Sequence, residues 1–408
     1  MKIGFFTDTY FPQVSGVATS IKTLKEQLEQ KGHEVFIFTT TDPNAPKYER
    51  NIIRMPSVPF ISFKERRLVV RGFWFAYLKA KEYDLDLIHT HTEFGAGLLG
   101  KWIGKRLEIP VIHTYHTMYE DYLHYIAKGK VLRPSYVKFL SRQFVDHSSG
   151  VVCPSQRVVD TLRGYGAKAP MRIIPTGVNV EKFLRPDITN DMSETLRQKW
   201  GVTSDQKLLL TLSRLSFEKN TQAIIEGLPK ILEKFPEVRL MVVGDGPYKS
   251  SLEALVEELG LESIVSFVGE VSADEVAFYY HAADYFVSAS TSETQGLTYT
   301  EAMASGTQMI VAGNAYLDQL ISDHSLGQTY DDQEGFAASL IDYLTEMPQK
   351  KPEVIENKLY EISAEFFGES ILAFYNEIMD LYFVKKYQEE KDESRLKTRL
   401  KHLKIITK

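Results

Sequence analysis

The chain has 408 residues, of which 43 % are hydrophobic and 25 % charged, and its formal net charge is −6. A chain of this length is too long to form one ordinary hydrophobic core, which predicts two domains. The composition is that of a soluble globular protein. A single cysteine, Cys153, excludes an internal disulfide and favours a reducing cytoplasm, and no run approaches the roughly 18 apolar residues of a membrane-spanning helix. Asp8 interrupts the apolar N-terminus too early for a signal peptide, so we predict a first strand there.

Strands and helices alternate along the whole chain. In the first half, apolar runs predict strands at residues 2–7, 34–39, 87–90, 110–114, 150–153 and 172–174, with helices such as 16–30 and 95–107 between them. In the second half they predict strands at 207–213, 238–243, 264–268, 285–288 and 307–312, and helices at 220–235, 249–259 and 274–281. This alternation predicts an α/β protein with two parallel sheets, whose ligands bind at the carboxyl ends of the strands, in the cleft between the domains.

A polar stretch at residues 185–191 is predicted to link the two domains. The first domain then covers residues 1–185 and the second covers residues 192–365. After residue 366, helical spacing predicts a final helix from the apolar residues Ile371, Phe374, Tyr375, Ile378, Leu381 and Tyr382.

Candidate binding residues in the first half follow its predicted strands. Gly16 opens a helix, where it allows either a close approach to a phosphate or sugar or only a tight turn, and a lone glycine favours the turn. His116 is placed either to bond a sugar hydroxyl or the acceptor, or to fill a seam between domains. His89 and His91 share one face of a strand, but no third ligand at a suitable spacing supports a metal site.

Two cations and a strand end are the first candidates in the second half. Arg214 and Lys219 flank a loop that precedes a helix, so both can reach a diphosphate, with ordinary surface charge as the alternative. Val271 follows the third strand of this half, where backbone groups can read the edge of a base. Together these positions indicate a nucleotide site.

The most informative run joins a short strand to a helix. Glu293 and Glu301 lie eight positions apart, and Gly296 and Leu297 stand between them at the predicted helix start. The free N–H groups and positive end of such a helix suit a diphosphate, and a carboxylate on either side can accept hydrogen bonds from hydroxyls. A diphosphate with hydroxyls at both ends is typical of a nucleotide sugar.

These loops, in this order, resemble those of the retaining glycosyltransferases of GT-B architecture with a Glu-x7-Glu signature. That architecture has two Rossmann-like domains whose parallel sheets face a cleft. The resemblance covers essentially the whole chain and is closer to the bacterial diacylglycerol glucosyltransferases, through the runs at residues 6–17, 113–122 and 290–298. It implies that the final helix crosses back, so that residues 366–408 join the first domain.

The resemblance implies a role for each donor-site residue. Arg214 and Lys219 would bind the diphosphate and stabilise UDP as it leaves. Glu293 would hold hydroxyls of the donor sugar, and Glu301 would hold the ribose. Because these cations and the helix end can stabilise the leaving group, no metal or other cofactor is expected.

Around the reacting centre, the resemblance implies that the N–H groups of Gly296 and Leu297 bind the phosphate. His116 would line the acceptor and sugar site, and Gly16 would lie near the reacting carbon. The expected donor is UDP-glucose, the expected acceptor is 1,2-diacylglycerol, and the product would be the glycolipid α-monoglucosyldiacylglycerol. The leaving phosphate itself could receive the acceptor's proton in a same-face displacement.

The charge is distributed unevenly along the chain. Residues 1–185 contain 27 Lys and Arg against 17 Asp and Glu, a net +10, which leaves 21 against 37, a net −16, for residues 186–408. The last 24 residues are basic again, with nine cations against four anions. A basic region beside an acidic one predicts that one half faces a polyanion, either nucleic acid or anionic lipid.

Two segments of the basic half fit an interface with a membrane. The first, residues 132–144, predicts a helix with one apolar stripe and cations on another face, and the second, residues 63–75, mixes cations with aromatic residues. The stripe consists of Tyr136, Phe139, Leu140 and Phe144, and the cations of the two segments include Lys138, Arg142, Arg66, Arg67 and Arg71. Core helices with solvated outer faces are the alternative. We predict peripheral binding to the inner face of the cell membrane, at about 1 kcal/mol per basic residue near anionic lipid.

Other functions remain as alternatives. A nucleic-acid binder would explain the basic half, but the cations are spread over helices and no stacking platform or recognition motif accompanies them. Within enzymes, the acceptor could be a soluble molecule or an already glycosylated lipid, and the donor could carry galactose. The sequence contains no signal for an oligomeric state.

Overall fold

The computed structural model describes residues 1–13, 15–46, 48–60, 63–118, 134–293, 295–331 and 335–406, without the side chains of 60, 63–66, 134 and 392–406. The first domain has the strands β1 (Lys2–Phe6), β2 (Glu34–Thr40), β3 (Ile52–Met55), β4 (Ser57–Phe60), β5 (Phe63–Val69), β6 (Leu87–Thr90), β7 (Val111–Thr114), β8 (Gly150–Cys153) and β9 (Met171–Ile173). Its helices are α1 (Gly16–Gln30), α2 (Phe73–Glu82), α3 (Gly95–Leu107), α4 (Pro134–Asp146), α5 (Gln156–Gly164) and α6 (Val180–Leu184).

Seven of these strands form one parallel sheet in the order β3-β2-β1-β6-β7-β8-β9, and β4 and β5 form a separate antiparallel hairpin. Strands covered by helices on both faces are continuously apolar, which explains the buried runs of β1 and β2. Helix α1 begins after Ser15, whose Oγ accepts a hydrogen bond from the N–H of Ala18 at 3.2 Å. Its buried residues Ile21, Leu24 and Leu28 repeat at helical spacing and pack against the sheet.

The second domain repeats the pattern around a six-stranded parallel sheet in the order β12-β11-β10-β13-β14-β15. Its strands are β10 (Lys207–Leu212), β11 (Val238–Val243), β12 (Val265–Gly269), β13 (Tyr285–Ser288), β14 (Gln308–Ala312) and β15 (Gly327–Tyr330). Its helices are α7 (Asn190–Lys199), α8 (Thr221–Leu232), α9 (Lys249–Glu258), α10 (Val276–Ala282), α11 (Leu297–Ala304), α12 (Ala315–Leu320), α13 (Gly335–Glu346) and α14 (Pro352–Glu361). The predicted α/β class with two Rossmann-like domains is confirmed.

The final helix, α15 (Ala364–Ile406), returns to the first domain as predicted. Its buried residues Ile371, Phe374 and Ile378 join the core beneath β1, because they repeat at helical spacing on one face. The predicted apolar stripe ends there, since Leu381 is 54 % exposed.

The segment at 63–75, described from the sequence only as a mixture of cations and aromatic residues, divides into strand β5 and the start of α2. Two sequence-based expectations need correction. The predicted linker at 185–191 ends inside α7, because Thr189 caps that helix by accepting a hydrogen bond from the N–H of Met192 at 3.4 Å. In α4, Phe144 is buried against the ring of His113 and so leaves the exposed stripe of Tyr136, Phe139 and Leu140.

Candidate active site

The loops after the strands of the two sheets meet at the boundary between the domains. A Cβ built on Gly16, at the start of α1, would lie 4.0 Å from Leu297 Cδ1 at the start of α11. The two helices therefore begin opposite each other, and both of these predicted site residues lie at that junction.

Asp8 ties together the loops of the first domain. Its buried carboxylate accepts hydrogen bonds from the N–H groups of Val69 and Ala96 and, at 2.8 Å, from the Thr92 hydroxyl. Burial raises the pKa of Asp8, and these hydrogen bonds oppose that rise. The side chain therefore joins β1, β5 and α3, and its carboxylate is used within the protein.

A layer of histidines lies beside this carboxylate. His89 Nδ1 lies 2.5 Å from the Tyr375 hydroxyl of α15, and its Nε2 lies 2.7 Å from the Thr114 hydroxyl. His113 Nε2 lies 3.2 Å from Glu93 Oε1. Both rings are buried and bonded on two sides, so they support the site without facing a ligand.

His116, the predicted acceptor-site histidine, is bonded to this layer. Its Nε2 lies 3.1 Å from Nδ1 of His91. Burial, with a smaller contribution from His113, lowers the pKa of His116 to about 3, and burial also lowers the pKa of His91. Both rings are therefore neutral at physiological pH, and His116 can offer a hydrogen bond but no positive charge.

The contact between these two rings favours one arrangement of protons. His91 Nε2 is buried and has no hydrogen-bond partner in the described part of the chain. Buried N–H groups without an acceptor are rarer than unpaired acceptors, so the His91 proton is favoured on Nδ1, where it donates to His116 Nε2. His116 then carries its own proton on Nδ1.

Lys219 and Glu293, predicted to bind different parts of a donor, form an ion pair with each other. Lys219 Nζ donates to Glu293 Oε1, and the side chains are only 16 % and 20 % exposed. Ser290 Oγ lies 3.5 Å from the same carboxylate oxygen. The pair brings a cation and a hydrogen-bond acceptor to one point, as a sugar attached to a diphosphate requires.

The loop that carries Glu293 (residues 289–296, the donor loop) is bonded to the loop that carries Lys219. Asn220 Nδ2 donates to the carbonyl of Ala289 at 3.3 Å, and the Ser292 hydroxyl donates to the carbonyl of Glu218 at 3.3 Å. The Glu218 carboxylate itself accepts from the Ser216 hydroxyl at 2.6 Å. The Glu218 carboxylate is thus hydrogen-bonded within its own loop.

The helix after the donor loop begins as the sequence predicts. Gly296 precedes α11 with a φ of 81°, and a Cβ there would lie 2.4 Å from Cε2 of Tyr299, so the position requires glycine. The first N–H groups of a helix have no acceptor within it. Those of Gly296, Leu297 and the following residue are therefore available to a phosphate, although a helix this short contributes little more than these N–H groups.

Glu301 lies one turn into α11 and faces Tyr280 of α10. The Tyr280 hydroxyl donates to Glu301 Oε2 at 3.0 Å. Burial raises the pKa of Glu301 to about 7, against the opposing effects of that hydrogen bond and of Lys182. Its ionisation can therefore change near neutral pH, and hydroxyl donors from a ligand would favour the charged form.

The remaining predicted donor residues occupy strand ends of the same sheet. Arg214 follows β10 and is exposed, and Val271 follows β12 and packs partly against the core of the second domain. Both belong to loops at the carboxyl edge of the sheet, where the donor loop also lies.

The predicted acceptor and membrane residues lie on the outer surface of the first domain. Arg67 donates to both the hydroxyl and the carbonyl of Ser57 within the hairpin, at 2.9 Å each, and Arg71 is exposed. Arg66 lies on β5, with its side chain outside the described part. In α4, Lys138 lies 5.6 Å from the centre of the Tyr165 ring, and Arg142 pairs with Asp146 at 3.5 Å.

Exposed aromatic residues lie in both segments that the sequence predicts to meet a membrane. Trp74 of α2 is 60 % exposed and Phe139 of α4 is 58 % exposed. Both helices adjoin α3. Helix α2 contacts α3 directly, and a Cβ added to Gly97 of α3 would lie 3.2 Å from Phe144 of α4. We call this surface the apolar face, and it consists of Phe73, Trp74, Phe75 and Leu78 of α2, Phe94 and Leu98 at the start of α3, and Tyr136, Phe139 and Leu140 of α4.

Sequence analysis misses two side chains that join the donor loop to the first domain. Arg157 of α5 donates to the carbonyls of Thr291 and Glu293, and Gln295 bonds the backbone of Thr176. Arginine and glutamine are common in loops and on helix surfaces, and their partners are backbone atoms more than a hundred residues away. No sequence signal marks such contacts.

The described residues provide neither a metal site nor a helix that could span a membrane. No group of three or more His, Cys, Asp or Glu side chains in those ranges is arranged to hold a metal ion. Among the described helices, none is both long and apolar enough to span a bilayer.

Family models and curated relatives match both halves of the chain. Residues 14–182 match the model described as Glycosyltransferase Family 4, and residues 192–361 match Glycosyl transferases group 1. The chain is 53 % identical to the alpha-monoglucosyldiacylglycerol synthase of Streptococcus pneumoniae, over 92 % of this chain and 85 % of that protein. It is 32 % identical to the enzyme of the same name from Acholeplasma laidlawii, over 91 % and 95 % of the two chains.

Solved structures share the fold. An Anabaena protein, HepE, in complex with UDP superposes with a TM-score of 0.73 at 19 % identity, covering 92 % of this chain and all of that one. A sucrose-phosphate synthase from Thermosynechococcus elongatus also gives a TM-score of 0.73, at 21 % identity, with 93 % and 99 % of the chains covered. At such identities the likeness establishes the architecture alone.

Proposed function

The chain belongs to the GT-B glycosyltransferases that these two family models describe, and from that premise we propose that it transfers glucose from UDP-glucose to 1,2-diacylglycerol. The product is α-monoglucosyldiacylglycerol. The observation that carries the acceptor is the high identity, over nearly the whole chain, to a streptococcal synthase named for this product. The chain is thus a hexosyltransferase that acts in glycolipid synthesis.

The contacts of the second domain support a nucleotide-sugar donor. We assign the leaving diphosphate to Lys219, Arg214 and the N–H groups of Gly296 and Leu297. We assign the Lys219–Glu293 pair to the point where the phosphate joins the sugar, so that the ammonium would turn to the phosphate as Glu293 receives sugar hydroxyls. We assign the ribose to Glu301, and the base to the backbone around Val271.

The reaction breaks the bond between the sugar C1 and the β-phosphate oxygen, and it forms a bond from C1 to the diacylglycerol hydroxyl oxygen on the same face. The acceptor proton passes to the leaving phosphate oxygen. Negative charge grows on that phosphate in the transition state, and the cations and helix N–H groups stabilise it there. Neutral His116 contributes a hydrogen bond to the sugar or acceptor but takes no proton, because protonation of its ring is unfavourable.

A lipid acceptor requires the protein to reach a bilayer, and we assign that contact to the apolar face of the first domain. Aromatic side chains of three neighbouring helices are exposed together there, and Arg71 and the surrounding basic half add positive charge. This combination suits a surface that binds the headgroup region of anionic lipid. We therefore propose peripheral binding at the cytoplasmic face of the membrane.

Release of UDP in four parallel reactions tests the function. The reactions contain UDP-glucose or UDP-galactose, each with and without dioleoylglycerol in vesicles of anionic lipid. Release that requires both UDP-glucose and dioleoylglycerol is the expected result. Release without the lipid would favour a soluble acceptor, and release from UDP-galactose would change the sugar. A fifth reaction contains UDP-glucose and a glycosylated lipid in place of dioleoylglycerol, and activity in that reaction alone would change the acceptor.

A further inference from the structure

The donor loop belongs to the second domain, yet a side chain of the first domain contacts its backbone. Arg157, in the first turn of α5, donates from Nη1 to the carbonyl of Thr291 at 2.6 Å and to the carbonyl of Glu293 at 3.0 Å. One nitrogen thus bridges two carbonyl groups on either side of Ser292. The contact fixes the backbone of the residue whose carboxylate holds Lys219.

A second contact from the first domain lies at the other end of the same loop. Gln295 Oε1 accepts from the N–H of Thr176 at 2.7 Å, and its Nε2 donates to the Thr176 carbonyl at 2.8 Å. The Thr176 hydroxyl in turn lies 2.9 Å from that of Ser20 in α1. The donor loop is therefore held from outside its own domain at residues 291, 293 and 295.

The chemistry of the arginine suits this task. A guanidinium stays charged at every physiological pH, presents donors in a rigid plane and loses less conformational freedom per bond than a lysine. Hydrogen bonds from a charged donor are stronger than neutral ones. Arg157 can therefore fix two carbonyls of a loop that would otherwise be held mainly by bonds between neutral groups.

We propose that Arg157 is a positioning residue for the sugar part of the donor. By holding the carbonyls of Thr291 and Glu293, it orients the Glu293 carboxylate toward the sugar hydroxyls and keeps it beside Lys219. The uridine part is assigned to Glu301 and Val271, which lie outside the contact. The inference rests on the proposed function, because it assumes a UDP-sugar in this site.

Comparing the binding of two ligands, UDP-glucose and UDP, distinguishes this role from a general effect on the fold. Binding of UDP-glucose and of UDP is measured calorimetrically without acceptor, for the wild type and for Arg157→Ala. We expect the substitution to weaken UDP-glucose binding by about tenfold, as the loss of one strong polar contact would do, and to change UDP binding by less than twofold. Arg157→Lys keeps the charge, but its shorter and more flexible side chain would hold the two carbonyls less firmly, so its effect on UDP-glucose should be intermediate.

The matched control is Arg163→Ala, on the same helix. Arg163 donates to the carbonyl of Ala167 at 2.7 Å, a contact inside the first domain, and its loss should leave both affinities unchanged. Equal weakening of both ligands by Arg157→Ala and Arg157→Lys, or no change with either ligand, would overturn the proposal. If the wild type binds UDP but not UDP-glucose, the proposed donor is wrong and this inference fails with it.

Discussion

The two domains meet the substrate site with opposite kinds of side chain. On the first domain, His89 and His91 are buried and His116 is partly buried, and desolvation lowers the pKa of each, so these three rings are neutral. On the second domain, Lys219 and Glu293 are also partly buried but form an ion pair. Desolvation without an opposite charge disfavours the charged form of a group, whereas pairing with an opposite charge preserves it. The charge of a leaving diphosphate must therefore be met from the second domain, while the first domain contributes shape and neutral hydrogen bonds.

Removing a cation of the second domain tests this difference and should have the largest effect on turnover. We expect Lys219→Ala to lower kcat by about 100- to 1,000-fold, since removing one preorganised group that stabilises developing charge has effects of that size. Arg214→Ala should act in the same direction. Initial rates of UDP release at saturating UDP-glucose measure the effect.

Lys249→Ala is the control for this charge effect. Lys249 lies in the same domain and forms an ion pair with Asp245 at 3.6 Å in a surface position, where such pairs contribute little. Its substitution should leave kcat within twofold. A Lys219→Ala protein with the turnover of the wild type would contradict the assignment of charge stabilisation to this domain.

The sequence reveals the second domain's site better than the first domain's, for a physical reason. Glu293, Gly296 and Glu301 lie within nine consecutive residues, and a strand-to-helix turn brings their groups together by local geometry alone. The fold class and most strands are equally local, because parallel strands have continuous apolar runs. The final helix is also predicted from local spacing, and all six residues that predict it lie in α15, although the buried face ends at Ile378.

What the sequence leaves unpredicted depends on contacts between distant segments. The short strand β3, the β4–β5 hairpin and helix α2 lack strong periodicity, and their positions follow from packing in the first domain. The contact of Arg157 with the donor loop joins residues 134 and 136 positions apart. Pairing of Lys219 with Glu293 is also non-local, so each residue could be predicted as a ligand group but not as the other's partner.

On the first domain, the comparison predicts that His116 acts without charge. His116→Ala should lower kcat/KM by about tenfold, because one neutral hydrogen bond contributes about 0.5–1.5 kcal/mol. The pKa of His116 is lowered to about 3, so its ring stays neutral between pH 5 and 8. The ratio of the His116→Ala rate to the wild-type rate should therefore stay constant over that range.

Exposed His147 supplies the comparison for this experiment, because its contact is to the carbonyl of Gln143 away from the site. His147→Ala should retain the full rate. A rate ratio for His116→Ala that changes several-fold between pH 5 and 8 would mean that a charged histidine takes part, and the contrast between the two domains would fail.

Glu301 is an exception to the retained charge of Lys219 and Glu293 in the second domain, because its carboxylate is buried. Its pKa is raised to about 7, so its contribution to the free energy of unfolding is largest below its ordinary pKa and is lost as the pH rises through about 7. Hydrogen bonds from the two ribose hydroxyls are stronger to the ionised carboxylate than to the protonated carboxyl group. Binding of UDP-glucose should therefore tighten several-fold from pH 6 to 8, by at most about tenfold per pH unit.

Glu301→Gln tests this pH dependence directly. The amide cannot ionise, so calorimetric binding of UDP-glucose should be weaker than in the wild type at pH 8 and should vary little with pH. Exposed Glu253, in α9, provides the control, and Glu253→Gln should follow the wild-type curve. Persistence of the full pH dependence in Glu301→Gln would assign it to another group.

The smallest predicted effect concerns the outer surface of the first domain, away from the residues assigned to the sugar donor and its phosphate. Phe139 is 58 % exposed on the apolar face, and Phe139→Ser removes aromatic area that would enter the headgroup region of a bilayer. Because the ring would be only partly withdrawn from water, we expect a loss smaller than the about 1.5–3 kcal/mol of full burial, and a three- to tenfold weaker partition into anionic vesicles.

Vesicle co-sedimentation measures this partition. The control is Leu259→Ser, at an exposed site in the second domain. The wild type should also bind neutral vesicles more weakly than anionic ones, because the proposed contact surface belongs to the basic half of the chain. Equal losses for Phe139→Ser and Leu259→Ser would mean that apolar exposure has no special role in the first domain, whereas a selective loss would extend the comparison from the active site to the membrane.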